Sequence, residues 1–164
     1  MAHIATTATK TLETLLRAPT GLNTGLAAVS ARTGTSLAPL HDNQLVGLQV
    51  APEVADKSGG LQYPTFFIYC ERLNNTLREK FRRFSGTVTL TIEVRVTHDR
   101  IETISSALQH YVDGLTETLD SLRGDWGEGQ FYTGGYQISF GPVKTGGKNY
   151  LQVAKATFDV QISK

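Results

Sequence analysis

The feature that most constrains this chain is a change of hydrophobic period between residues 86 and 122. From Gly86, Val88, Leu90, Ile92, Val94 and Val96 alternate with Thr87, Thr89, Thr91, Glu93, Arg95 and Thr97, which predicts a β-strand with one apolar and one polar face. After His98 the spacing becomes three and four: Ile101, Ile104, Leu108, Tyr111, Val112, Leu115, Leu119 and Leu122 share one helical stripe. Asp99 and Glu102 have the spacing of a reciprocal cap for the helix start. An apolar strand face needs a cover, and the following helix can supply it. The expected fold class is therefore α+β: a mixed, largely antiparallel sheet packed by one long helix, with additional N-terminal helices.

At 164 residues, 40% of them apolar and 19% charged, the chain can build one ordinary core, and a single domain over 1–164 is expected. Sixteen lysines and arginines oppose fifteen acidic residues, so no global field favours nucleic acid, membranes or acidic substrates. Any electrostatic role has to be local. Cys70 is the only cysteine, which excludes an internal disulfide and reads as a small buried hydrophobe. There is no secretion-signal pattern and no run of about 18 apolar residues, so the expected setting is cytoplasmic, away from membranes.

Ahead of the strand, residues 1–43 form an N-terminal helical segment, followed by a sheet-and-helix core over 44–164. Helices are expected from about Thr6 to Arg17, carrying Leu12, Leu15 and Leu16, and from about Leu22 to Arg32, capped by Gly34. Gln44 to Val50 reads as a short strand with Leu45 and Gly47 outward and Val46, Leu48 and Val50 inward. Asp56 to Gly60 reads as a turn. Tyr63 to Glu71 is apolar on both faces, as in a strand covered on both sides. Beyond the helix, a loop around Trp126 leads to two strands, Gln130 to Phe140 and Tyr150 to Ile162. Leu151 and Val153 are out of phase with Ala156, Phe158, Val160 and Ile162, which predicts a bulge near Ala154 or Lys155.

Catalytic and ligand motifs fail on spacing. Gly141 to Lys148 has glycines before a lysine, but Pro142 occupies the first glycine position of a phosphate loop, Asn149 replaces its hydroxyl and a strand follows, so a hairpin turn is expected. His41-Asp42 and His98-Asp99 are sequence neighbours expected to point apart, with no third ligand at useful spacing. His110 reads as a partly buried histidine beside the helix stripe, and Trp126 as a ring folded over the helix end. No catalytic residue, metal or cofactor is expected.

The order of elements carries the remaining information. A Tyr63-Pro64 entry into an apolar strand, a variable arm, the Thr89-Leu90-Thr91-Ile92-Glu93-Val94 strand, one long helix and closing strands together resemble tail terminator (tail completion) proteins of long-tailed bacteriophages, over about residues 44–164. That resemblance implies a non-enzymatic virion protein of the phage neck, assembled in the host cytoplasm. It would form a homo-oligomeric, hexameric ring that caps the tail-tube protein, ends its polymerisation and offers a docking surface to the head-tail connector or stopper protein. A head-completion or stopper subunit, a tail-tube subunit, and an unrelated cytoplasmic binding domain are the alternatives.

Between Arg72 and Ser85 the strand pattern dissolves into a hairpin arm with Arg78, Lys80, Arg82 and Arg83 around Phe81 and Phe84. This is the one concentrated positive field of a nearly neutral chain. One reading is a solvated arm whose cationic stems shield the two phenylalanines. In a six-fold ring the four cations per copy would set about 24 charges near one circumference. There they would meet an acidic patch on the tube or connector, or, as the second choice, the phosphates of passing DNA. Arg78, Lys80, Phe81, Arg82 and Arg83 are accordingly the candidate contact residues.

Overall fold

A computed structural model of the chain describes residues 3–47 and 62–164. Two N-terminal helices, α1 (Ile4–Arg17) and α2 (Leu22–Thr33), precede a short edge strand β1 (Leu45–Gly47), and β2 (Thr65–Asn75) and β3 (Ser85–His98) then form a long hairpin. Helix α3 (Ile101–Ser121) follows, then β4 (Gly124–Gly127), β5 (Gln130–Tyr132), β6 (Gln137–Phe140), β7 (Lys144–Gly146) and β8 (Asn149–Ser163). The fold is α+β. The mixed sheet runs β1-β2-β3-β8-β5-β4, with β6 and β7 also paired to β8; β1 is parallel to β2 and the other pairs are antiparallel. The expected turn at Asp56 to Gly60 and the second half of the Gln44 to Val50 strand lie outside the described residues.

The change of period does what its pattern demands. Val88, Leu90, Ile92, Val94 and Val96 meet Ile104, Leu108, Leu115 and Leu119 of α3 in one core, which Leu12 and Leu16 of α1 and Ala156, Phe158, Val160 and Ile162 of β8 also join. Ile101, expected on the stripe, is instead half exposed at the first turn of α3. The expected Asp99–Glu102 cap is not formed. Arg100 is the N-cap residue, without a side-chain hydrogen bond, while His98 Nδ1 accepts from the Arg100 amide at 3.0 Å and lies 3.1 Å from Asp99 Oδ1. That contact also corrects the expectation that His98 and Asp99 point apart, because the strand ends at His98 and the chain turns there.

Helix α2 packs on α3 through two glycines whose role the apolar pattern does not show. A Cβ on Gly25 would overlap Gly114 O and Thr118 Oγ1, and a Cβ on Gly114 would reach within 3.2 Å of Leu26 Cα. The backbones meet where a side chain would stand. Gly25→Val should therefore force the helices apart and lower stability by about 2–3 kcal/mol, the range of an overpacked core; a denaturation midpoint within error of the parent would show that the helices part without cost.

Other expectations are corrected by the ladder. The β3–β8 register is continuous from Ser85↔Ser163 to His98↔Tyr150, so there is no bulge at Ala154 or Lys155; the irregularity in this part of the sheet falls between Cys70 and Arg72 of β2. Gln130 to Phe140 is two strands, broken around Gly134 at φ 100°, and Tyr136 and Phe140 are exposed. In β1 the phase is the reverse of that expected, with Leu45 buried and Val46 half-buried, and Gln44 stands in a 3-10 turn. Trp126 does fold over the end of α3, its Nε1 donating to Leu122 O at 2.7 Å, and the loop around it is a hairpin of β4 and β5.

Candidate functional site

Two places on the chain combine exposed or unusual chemistry with a fixed frame: the arm between β2 and β3, and the sheet face opposite the helices.

The arm is a short loop tied at its base. Asn75 Oδ1 accepts from the amides of Leu77 and Ser85, its Nδ2 donates to Arg83 O, and Thr76 Oγ1 donates to Ser85 O. Ser85 Oγ accepts from the Glu79 amide, and Glu79 Oε2 accepts from Ser163 Oγ at 2.7 Å. Phe84 and Lys164 exchange two backbone hydrogen bonds of 2.8 Å. From this frame Phe81 projects fully into solvent, at 104% relative exposure, with Leu77 at 60%. Both are non-glycine residues at positive φ, 67° and 47°, a conformation that bulky side chains adopt at a cost of about 1 kcal/mol or more each. Phe131 of β5 lines a hollow at the foot of the arm with Arg78 and Glu79.

The sequence grouped Phe81 with Phe84, but the structure separates them. Phe84 is buried at the start of the β3 ladder and belongs to the core, so the arm has one aromatic anchor and its cations do not shield it. Arg82 pairs with Glu79 at 3.4 Å, leaving the field to Arg78, Lys80 and Arg83.

The second place was not expected. The polar set of β3 reads as a solvent face, yet Thr89, Thr91, Glu93 and Arg95 are all buried, Glu93 to 1% and Arg95 to 4% exposure. The two threonines and Glu93 find partners on neighbouring strands, and Arg95 finds Glu93 on its own. Thr89 Oγ1 donates to Asp159 at 2.6 Å, Thr91 Oγ1 donates to Glu71 at 2.7 Å, and the Tyr69 hydroxyl donates to Glu93 Oε2 at 3.3 Å. Arg95 grips Glu93 Oε1 through Nε at 2.9 Å and Nη2 at 2.7 Å, while its guanidinium stands 5.4 Å from the centre of the Phe67 ring. Lys155 Nζ lies 3.8 Å from Glu93 Oε2.

Beside this pair opens a cavity of about 500 Å³, bordered by Leu151, Val153 and Lys155 of β8, Lys144 of β7, Phe140 of β6 and Pro142 of the β6–β7 connection. Leu151 and Val153 break the strand's pattern because they face this cavity. Their phase, which predicts a bulge, is the sequence's trace of it.

The remaining sequence candidates resolve into structural roles. His110 is partly buried, its Nδ1 2.7 Å from Ser106 O and its Nε2 3.4 Å from Thr35 Oγ1. Asp42 pairs with Arg17 at 3.6 Å. Gly147 and Lys148 form the tip of the β7–β8 hairpin. Cys70 is partly buried against the core edge, where burial pushes its thiol pKa up, a backbone hydrogen bond at Arg72 opposing it. Among the described residues no cluster of three metal-ligating side chains occurs, and no helix is long and apolar enough to cross a membrane. Set against known proteins, the chain matches no family model and no curated sequence.

Proposed function

We propose that the chain is a structural, non-enzymatic subunit that assembles into a ring and caps a protein tube, the tail terminator role in the neck of a long-tailed bacteriophage. The observation that carries this reading is the arm: Phe81 is held fully exposed on a hydrogen-bonded loop and flanked by cations. Exposed aromatics beside arginine are the usual anchors of protein interfaces. A loop already pinned in one conformation loses little entropy on docking, so more of the contact energy appears as affinity. The strained φ values of Leu77 and Phe81 fit the same reading, since such backbone persists where the surrounding structure holds it in service of a contact. The virion setting and the tube and connector partners follow from the resemblance of residues 44–164 set out above. DNA contact through Arg78, Lys80 and Arg83 ranks second, because an exposed phenylalanine contributes nothing to phosphate binding.

Two measurements test this. Added to polymerising tube protein of its own phage, the protein should fix tube length at substoichiometric amounts, one ring blocking one growing end; an unchanged length distribution would overturn the capping role. Arg78, Lys80, Arg82 and Arg83 replaced together by Ser should leave the melt unchanged and weaken attachment to tails, with the parent's attachment also falling in high salt. Phe81→Ser should weaken attachment about 30-fold, the equivalent of a hot spot of about 2 kcal/mol. Parental numbers of infectious particles from both variants would reduce the arm to a solvated loop.

A further inference from the structure

We infer that the cavity beside Glu93 and Arg95 is a binding site for a ligand that joins an apolar body to a carboxylate. Its volume, about 500 Å³, falls among the roughly 300–1,000 Å³ of sites that enclose small ligands. Its chemistry is two-sided. Leu151, Val153, Phe140 and Pro142 supply an apolar floor and wall, while Arg95, Lys144 and Lys155 oppose Glu93, the one carboxylate among the described lining residues.

The charges are not equivalent. Glu93 is engaged side-on by Arg95 and accepts from the Tyr69 hydroxyl, so the buried pair is satisfied without help from the lysines. Lys155 is 49% exposed and approaches Glu93 only to 3.8 Å, and Lys144 is exposed on β7. Both ammonium groups can therefore turn to an incoming anion while the Arg95–Glu93 contact stays closed. That leaves two positive charges at the mouth of an apolar hollow. A ligand with a carboxylate head and an apolar body matches both parts, whereas a nucleic-acid phosphate would leave Leu151 and Val153 uncovered.

The chemistry can arrive as a free carboxylic acid or as the acidic end of a partner's peptide, and titration of the uniformly ¹⁵N-labelled full chain separates the two. The probes are 3-phenylpropionate, the peptide acetyl-Val-Phe-Glu, and 3-phenylpropylamine as the cationic counterpart. Saturable shifts of the Ser139, Lys144, Leu151 and Val153 amides are expected with at least one carboxylate probe and not with the amine. A response to the free acid supports a small-ligand site, and a response confined to the peptide supports a docking pocket. The double variant Lys144→Gln, Lys155→Gln should weaken that binding at least tenfold with an unchanged melting temperature. Equal shifts from the amine, no saturation with either carboxylate, or full binding by the double variant would overturn the assignment. Because binding is read on the purified protein without tube or connector, the outcome is independent of whether the protein caps a tube.

Discussion

Leu108→Asp should yield no soluble, cooperatively folding protein. Leu108 sits at the middle of α3 with no exposed surface, in the core that joins this helix to β3 and β8. A carboxylate there has no partner in an apolar layer, and the cost of burying it, several kcal/mol, is comparable to the roughly 5–15 kcal/mol by which a whole domain is stable. Leu108→Ala provides the graded companion: it should still fold but lose about 3 kcal/mol, as truncated core leucines do. Soluble yield and denaturant midpoints check both. A near-parental melt of the aspartate variant would mean that α3 does not seal the sheet.

Glu93→Ala should cost about 3–5 kcal/mol, although the residue it removes is charged. The loss would come from what stays behind: Arg95, at 4% exposure, keeps its charge and loses the carboxylate that its Nε and Nη2 both grip. Breaking one side of a buried pair is far worse than removing both. The double variant Glu93→Met, Arg95→Met should therefore be less destabilised than Glu93→Met alone, and a double-mutant cycle built from Glu93→Met, Arg95→Met and their combination, read by urea unfolding, measures the difference. Additive effects of the two single changes would show that the pair is not coupled.

These two sites also mark what the sequence could and could not disclose. Leu108 was legible because helical period reports a face, and, Ile101 apart, the α3 stripe and the alternating aliphatic residues of β3 meet in the core as their periods imply. Glu93 was not legible, since alternation reports which residues are polar and not whether the polar side is covered. Arg95 stands two places along the same strand, but the other groups around Glu93 lie elsewhere, with Tyr69 on β2 and Lys155 on β8, a juxtaposition that no local window contains. The arm shows the same limit at finer scale. Phe81 and Phe84 are the same residue three positions apart, and only the Phe84–Lys164 ladder contact decides that one is core and the other is offered to solvent. Leu151 and Val153 left a real signal, a break in phase, whose cause was a cavity on the opposite face and not an extra residue in the strand.

The placement of β8 has a consequence for how this molecule is made. It follows every other described strand in the chain, yet it lies at the centre of the sheet, paired with β3 along one edge and with β7, β6 and β5 in turn along the other. Until β8 arrives, the full length of β3 is an open edge, and the β5, β6 and β7 segments have nothing to pair with. Joining β8 to β3 requires contacts between residues 52 to 78 positions apart, from His98↔Tyr150 to Ser85↔Ser163, the kind of non-local closure that slows folding and leaves a strand edge available to other chains in the interval. Amide exchange should therefore be slowest in the middle of β3 and β8, where both edges are bonded, while pulse labelling during refolding should show β8 gaining protection last, after the β2–β3 hairpin and α3.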